Sequence, residues 1–207
     1  RCKFSLESNH LYCQLLFRGD TLLTMDPSLL LLERLGSLIQ QSIRDDAARH
    51  GLLPVHVQVM HYLANANRYS DLPIAVAEYL GVTRGTISQS LSVLERKGFL
   101  RKESDASDGR RVHLKLTEAG EGVLKGSWAE QLELAFNGLS IKRQDIELAL
   151  RNILIALQRL NRQKAFGVCH QCQHYLPEGN DGRCALTGET LTRDQSLKIC
   201  REWTQPK

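Results

Sequence analysis

VAEYLGVTRGTISQSLSVLERKGFL, residues Val76 to Leu100, carries two helical patterns separated by a turn. Ala77 and Gly81 stand four apart. A small side chain at the first position lets two helices approach closely, and glycine at the second accepts the strained backbone of a tight turn. After the turn, Ile87, Leu91 and Leu94 recur at helical spacing and form one apolar stripe. The other faces carry Arg84, Thr86, Ser88, Gln89 and Ser92, with Thr83 at the helix start and Gly98 as its stop. Small polar side chains let such a helix sink into the major groove of duplex DNA, where Arg84 and Gln89 can hydrogen-bond phosphates or base edges. An ordinary amphipathic helix with a solvated face shows the same pattern, so the flanking sequence has to decide.

Downstream the period changes from helical to alternating. Phe99–Glu103 reads as one strand. Arg111–Leu116 reads as a half-exposed second strand, with Val112, Leu114 and Leu116 inward and Arg111, His113 and Lys115 outward. Between them lies a polar hairpin tip ending in Asp108, Arg110 and Arg111. A ribbon tipped with arginine can place a cation in the narrow minor groove, and Asp108 is close enough in sequence to orient Arg110. Helix pair and ribbon together predict a winged helix-turn-helix between Leu72 and Leu116 that docks on double-stranded DNA.

The pattern extends outward on both sides. Asp26 and Pro27 open a helix that carries Leu31, Leu35, Leu38 and Ile39 to about Arg49. Pro54 opens a second helix with Val55, Val59, Met60 and Leu63, and Pro73–Leu80 is a third. Thr117 caps a helix that continues through Trp128, Leu132 and Phe136. Ser140 then caps a last long helix with Ile146, Leu150, Ile153, Leu154, Leu157 and Leu160. Residues 1–25 lack periodicity and read as a poorly ordered leader, with Cys2 and Cys13 as bystanders. The domains expected are therefore 26–164, for DNA binding and dimerisation, and 165–207, a Cys-rich module. The fold class is mainly α.

Composition bounds the function classes. A chain of 207 residues suits one sizeable domain plus a small appendage. The formal charge of +4 is compatible with nucleic acid without establishing it. No apolar run approaches the ~18 residues of a membrane span, and Glu7, Asn9 and His10 interrupt any signal-peptide core. The expected location is cytoplasmic, where six cysteines point to metal ligands or reactive thiols rather than disulfides. No nucleotide-binding glycine loop, nucleophile elbow or paired-carboxylate motif appears, so no enzyme is expected.

VAEYLGVTRGTISQSLSVLERKGFLRKESDASDGRRVHLKLTEAG, residues 76–120, resembles the MarR family of bacterial regulators. The resemblance spans roughly Leu30 to Leu160. Its most specific parts are Leu94 to Leu100 (LERKGFL), Asp108-x-Arg110, and Leu116 to Gly120 (LTEAG). It implies a homodimer whose terminal helices, about 26–49 and 117–163, intertwine. It also implies a pseudo-palindromic operator with half-sites about one helical turn apart. Many members bind a small phenolic ligand, and nothing in this sequence picks one out.

The second strong signal is Cys169-x2-Cys172-x11-Cys184-x15-Cys200. Four thiolates in a short, polar, Gly-rich segment predict a metal or cluster site, because the segment is too small to fold by burial alone. Zinc ribbons usually present two close Cys pairs, whereas here only the first pair is close, a spacing that suits a four-iron cube better. The segment also resembles high-potential iron–sulfur proteins in Cys169, Cys172, the run from Gly182 through Cys184 to Gly188, and Cys200-x2-Trp203. Tyr175 and Trp203 could shield such a cluster from water. His170 and His174 lie inside the motif, as exposed or supporting residues or as replacement ligands. His50, His56, His61 and His113 read as structural or surface residues. The cofactor expected is a [4Fe-4S] cluster, with zinc as the alternative.

Three functions follow in order. The first is a transcriptional regulator whose DNA affinity is set by the cluster, sensing redox poise, oxygen, iron or nitric oxide. The second is a regulator with a structural zinc site that responds to a small molecule. The third is an electron-transfer protein or redox enzyme.

Overall fold

A computed structural model describes residues 25–105 and 108–206. Most of the leader expected at 1–25, with Cys2 and Cys13, lies outside these residues, as do Ala106 and Ser107 of the hairpin tip. The chain divides into two compact units, Arg1–Gln41 and Ser42–Lys207. Helix α1, Pro27–Arg49, runs through that division. Its start is capped as expected, with the Ser28 N–H donating to the Asp26 carboxylate at 2.8 Å. Within the first unit it exposes Leu29, Leu30, Leu31, Leu35 and Leu38.

In the second unit, α2 (Pro54–Asn65), α3 (Pro73–Leu80) and α4 (Arg84–Arg96) are followed by the antiparallel ribbon of β1 (Leu100–Ser104) and β2 (Val112–Leu116). Leu100 stands opposite Leu116 and Lys102 opposite Leu114. The core gathers Val57, Met60 and Tyr62 from α2, Ala75, Val76 and Ala77 from α3, Ile87, Leu91 and Leu94 from α4, and Leu114 from β2. Each large aliphatic side chain so buried contributes about 1.5–3 kcal/mol. That burial fixes which face of α4 turns inward, and hence which residues remain outside. Gly81 closes α3 at φ +66°, its N–H donating to the Ala77 carbonyl.

Three expectations need correction. The first strand begins one residue later than predicted, because the Phe99 N–H still donates to the Leu94 carbonyl as part of the helix exit. The helix from Thr117 does not continue through Trp128. It ends as α5 (Glu118–Leu124), and α6 (Trp128–Asn137) starts afresh. The break is made by Gly126 at φ +67°. It lets the buried Asp46 carboxylate accept the Trp128 N–H at 2.9 Å while also pairing with Arg49. Ser140 does not cap the last helix either. Helix α7 runs Arg143–Leu160 with no side-chain cap, and Arg143 forks onto Glu133 of α6 at 2.6 and 2.5 Å. This helix buries Ile155 and exposes Leu148, Leu150, Ile153, Leu154, Leu157 and Leu160.

The Cys-rich segment forms small β elements too short to show alternation in sequence. Strand β3 (Gly167–Val168) pairs with β7 (Ile199–Cys200), while β4 (Tyr175–Glu178), β5 (Asp181–Cys184) and β6 (Thr190–Leu191) form a second sheet. A short α8 (Arg193–Ser196) precedes β7. Few of the segment's own side chains are buried; among them Cys169, Leu191, Cys200 and Trp203 pack with Ile155 of α7. Among the described residues no helix is long and apolar enough to cross a membrane.

Candidate functional site

The reading helix is built from its cap upward. The Thr83 hydroxyl accepts the Thr86 N–H at 3.1 Å, fixing the first turn of α4. Burying Ile87, Ser90, Leu91 and Leu94 leaves Arg84, Thr86, Ser88, Gln89 and Ser92 exposed. Thr83 is exposed beside them. The Ser92 hydroxyl donates to the Ser88 carbonyl at 3.0 Å. These side chains and a helix N-terminus, which favours anions, make one polar surface. Arg110 and Arg111 are exposed at the wing tip. Asp108 acts there differently from expectation. Its carboxylate accepts the backbone N–H of Arg110 at 3.1 Å and pairs with the Arg111 guanidinium at 3.5 Å, so Arg110 is held through its backbone.

The wing is fastened at its base by Asp71, a buried residue in the α2–α3 turn. The Asp71 carboxylate meets His113 Nδ1 at 2.5 Å and Lys115 Nζ at 2.6 Å, and its carbonyl accepts the Leu114 N–H at 2.8 Å. His113 Nε2 meets Asp105 at 2.9 Å. His113 and Lys115, expected to face outward, are therefore anchors, and only 18% of the His113 side chain is exposed. Hydrogen bonds to Asp105 and then Asp71 raise the His113 pKa above its ordinary 6.5, against burial and the Lys115 charge. A group whose folded pKa is raised lends its stability below the unfolded value and loses it as pH rises through the folded one. Wing anchoring should be full below about pH 6.5 and weaken above it. Melting temperatures of wild type and His113→Asn between pH 6 and 8 check this: the gap between them should narrow as pH rises. A constant gap would refute it.

The four cysteines are brought to one place. The Cys-x2-Cys pair sits on a 3-10 turn, Cys169–Gln171, with the Cys172 N–H donating to the Cys169 carbonyl at 3.0 Å. Cys200 arrives through the β3–β7 pairing and Cys184 opposite Tyr175 through β4–β5. All four are free thiols that line a cavity of about 720 Å³ together with His174 and Tyr175. Cys169 and Cys200 are buried, and Cys172 and Cys184 are half-buried. A hydrogen bond shared with Cys200, and then burial, pushes the Cys169 thiol up, and the same bond holds Cys200 below the ordinary thiol range. The Thr204 N–H donates to Cys172 Sγ at 3.4 Å. Among the described residues, no three His, Cys, Asp or Glu side chains are gathered so as to hold a single metal ion. His170 turns a ring nitrogen to the Ser196 carbonyl at 3.3 Å.

Aromatic cover is arranged by glycines. The Trp203 indole N–H donates to the Gln171 carbonyl at 3.0 Å. Its ring lies against Gly167, where a Cβ would stand 2.5 Å from ring carbons. The Tyr175 ring lies just as close over Gly182, leaving no room for a Cβ there.

What sequence reasoning missed is the dock between the Cys-rich segment and the α2–α3 turn. The Asn67 N–H donates to the Ile199 carbonyl at 3.0 Å, and the Arg201 N–H to Ser70 Oγ at 2.8 Å. Arg68 pairs with Glu189, which also accepts from the Tyr69 hydroxyl at 2.5 Å. The Arg201 guanidinium forks onto Glu78 of α3 at 2.7 and 2.9 Å. No local pattern announces partners more than a hundred residues apart. The odd accumulation of polar residues at Asn67–Asp71, between two apolar helices, was the available signal.

Comparison with known proteins bears on the first of these surfaces. The family model described as MarR family matches residues 50–111. The uncharacterized HTH-type transcriptional regulator YkoM of Bacillus subtilis (strain 168) is 32% identical over 112 residues, which are 53% of this chain and 71% of that protein. Among solved structures, a mutant of MepR from a multidrug-resistant S. aureus clinical isolate is similar with a TM-score of 0.53. It is 20% identical, over 66% of this chain and 99% of the other. A MarR-family transcriptional regulator from Silicibacter pomeroyi gives 0.51 at 19% identity, over 64% and 89%. At those identities the likeness concerns the fold.

Proposed function

We propose that this chain, which belongs to the MarR family of transcriptional regulators, binds operator DNA with an affinity controlled by a [4Fe-4S] cluster held by Cys169, Cys172, Cys184 and Cys200. The observation that carries the proposal is the convergence of these four thiols on one cavity in a segment docked onto the DNA-reading unit. The donor set fits the group: four sulfurs, a backbone N–H on one of them, and the buried Trp203 and half-buried Tyr175 as cover. A tetrahedral zinc would need all four sulfurs about 2.3 Å from one point. When bound, the cluster supplies electron gain and loss and sensitivity to oxidants. Residues 165–207 form the cluster module in this reading, and 26–164 the DNA-binding and dimerisation part.

Thr83, Arg84, Thr86, Ser88, Gln89 and Ser92 face the major groove, and Asp108, Arg110 and Arg111 serve the wing. The exposed leucines and isoleucines of α7 are covered by a second copy of the chain, which gives a homodimer and a pseudo-palindromic operator. Gln89→Ala should cost about 1–3 kcal/mol of specific affinity and relax base preference, whereas Arg84→Ala should lower the salt dependence of binding by about one ion. Titrations at several salt concentrations check both.

The cluster is tested on anaerobically purified protein. Iron and sulfide at about four each per chain, absorbance near 400 nm, and a DNA affinity that changes by about 5–150-fold on chelation support the reading. Stoichiometric zinc in a colourless protein overturns the cluster. Equal affinity with and without iron overturns the control and leaves a structural cluster.

A further inference from the structure

Glu78 stands where the two surfaces meet. It lies on α3, the first helix of the helix-turn-helix, and its carboxylate takes both arms of the Arg201 fork at 2.7 and 2.9 Å. Lys164 Nζ stands 4.0 Å away. Arg201 directly follows Cys200, and its own N–H is tied to Ser70. On the other side of Glu78, across the turn at Gly81, α4 begins with the exposed Arg84. The hydrogen bonds from Arg201, against partial burial, hold the Glu78 carboxyl below its ordinary range, and the charges of Arg201, Lys164 and, least, Arg84 add to this, so the Arg84 charge already reaches Glu78.

We propose that Arg201 is a positioning residue for DNA binding: by occupying the Glu78 carboxylate it leaves Arg84 free for a DNA phosphate. This rests on Arg84 being a DNA contact, as read above. When the Cys-rich module lets go, Glu78 loses its fork and draws Arg84 into an internal ion pair. A cation is then withdrawn from the DNA surface. Undocking the module therefore weakens binding, and the sign does not depend on which metal the cysteines hold. The long reach of the effect needs no movement of α4, because the competition is for one carboxylate.

The test uses the full chain and a mixed-sequence 30-base-pair duplex, since a phosphate contact is independent of sequence. Arg201→Gln should weaken binding by about fivefold or more. Glu78→Gln alone should bind at least as tightly as wild type. The double variant should return to wild-type affinity, because with no carboxylate left Arg84 is free again. A role confined to holding the module in place predicts the reverse, with the double variant no tighter than Arg201→Gln. That result, or an Arg201→Gln affinity equal to wild type, overturns the proposal. Arg201→Lys, which keeps the charge but not the fork, should fall between wild type and Arg201→Gln, and it repeats the comparison with a smaller perturbation of folding. Arg84→Ala separates the two readings: if it leaves duplex binding untouched, the assignment of Arg84 to DNA has failed, whatever the pair Glu78–Arg201 does.

Discussion

Gly120→Ala should destabilise the protein by about 3 kcal/mol or more and lower its melting temperature by on the order of 10 °C. A glycine inside a helix ordinarily gains from this change, by up to about 1 kcal/mol. Here the sign reverses for a steric reason. A Cβ on Gly120 would overlap the Phe99 carbonyl oxygen and stand 3.0 Å from its carbon, and both belong to backbone. Backbone cannot swing aside as a side chain can. The same carbonyl accepts the Thr117 N–H at 3.1 Å, and the Thr117 hydroxyl donates to the Gly98 carbonyl at 2.6 Å while accepting the Gly120 N–H at 3.1 Å. Pushing α5 away from Phe99 would open the two bonds from Thr117 to Phe99 and Gly98, which stitch α5 to the exit of α4 and the root of the wing. Gly122, two residues on in the same helix, has nothing within 4 Å of its would-be Cβ. Gly122→Ala is the control and should melt at or slightly above wild type. Thermal unfolding followed by circular dichroism compares them. A Gly120→Ala protein that melts with wild type would show that this contact is not tight in solution.

That glycine illustrates what was legible in the sequence. LTEAG was visible as a motif, and its position after the second strand was placed correctly. Why glycine is required there was not visible, because Phe99 meets Gly120 only after the ribbon has folded back. The local structure of α4 was legible: its start at Thr83, its inward stripe of Ile87, Leu91 and Leu94, and its exposed polar face all follow from local pattern. Periodicity misled after Thr117. Trp128, Leu132 and Phe136 keep helical spacing after the break at Gly126, and the break itself is not legible because the buried carboxylate that accepts the first N–H of the new helix, Asp46, comes from α1. The cysteine spacing predicts a metal or cluster site; the four cysteines line one cavity, yet among the described residues no three His, Cys, Asp or Glu side chains are gathered so as to hold a metal ion. The strands that carry them were not legible, since two-residue pieces such as Gly167–Val168 have no period to read. Least legible was the dock. His113 alternates outward on its strand and Arg201 sits in a polar tail, yet one anchors on Asp71 and the other on Glu78. Asp71 lies in the α2–α3 connection, which sequence patterns show only as a loop, and Glu78 lies within α3, where nothing local marks it as a docking partner.

On the proposed cluster reading, Cys169→Ala should remove the bound iron and unfold the Cys-rich segment while leaving the winged helix folded. Cys169 is the most buried of the four cysteines, at 3% exposure. It stands at the head of the 3-10 turn that positions Cys172, beside Cys200. Few groups hold this segment together otherwise. Its buried side chains besides cysteine are Phe166, Leu191, Ser196 and Trp203, and pieces of this size, roughly 40 residues, rarely fold without a staple. In such modules metal binding supplies the folding free energy itself, about 10–16 kcal/mol where zinc has been the metal. Docking adds to it through Arg201–Glu78 and Arg68–Glu189, but the Arg68 pair is half exposed and contributes little. The winged helix has a core of Val57, Met60, Ile87, Leu91, Leu94 and Leu114 that contains no cysteine. The expected readouts are therefore separable. Iron should fall from about four per chain to near zero. Amide exchange should accelerate at Cys169, Val168 and Cys200, whose ladder closes the module, while Val59 and Met60 of α2 stay protected. Retention of iron at the wild-type level would remove Cys169 from the ligand set. Loss of iron with module amides still protected would show a segment that folds by packing alone, with the cluster as a passenger. Loss of protection throughout α2 as well would mean that the module and the winged helix fold as one unit, and Leu191, Trp203 and Ile155 would then count as part of a single core.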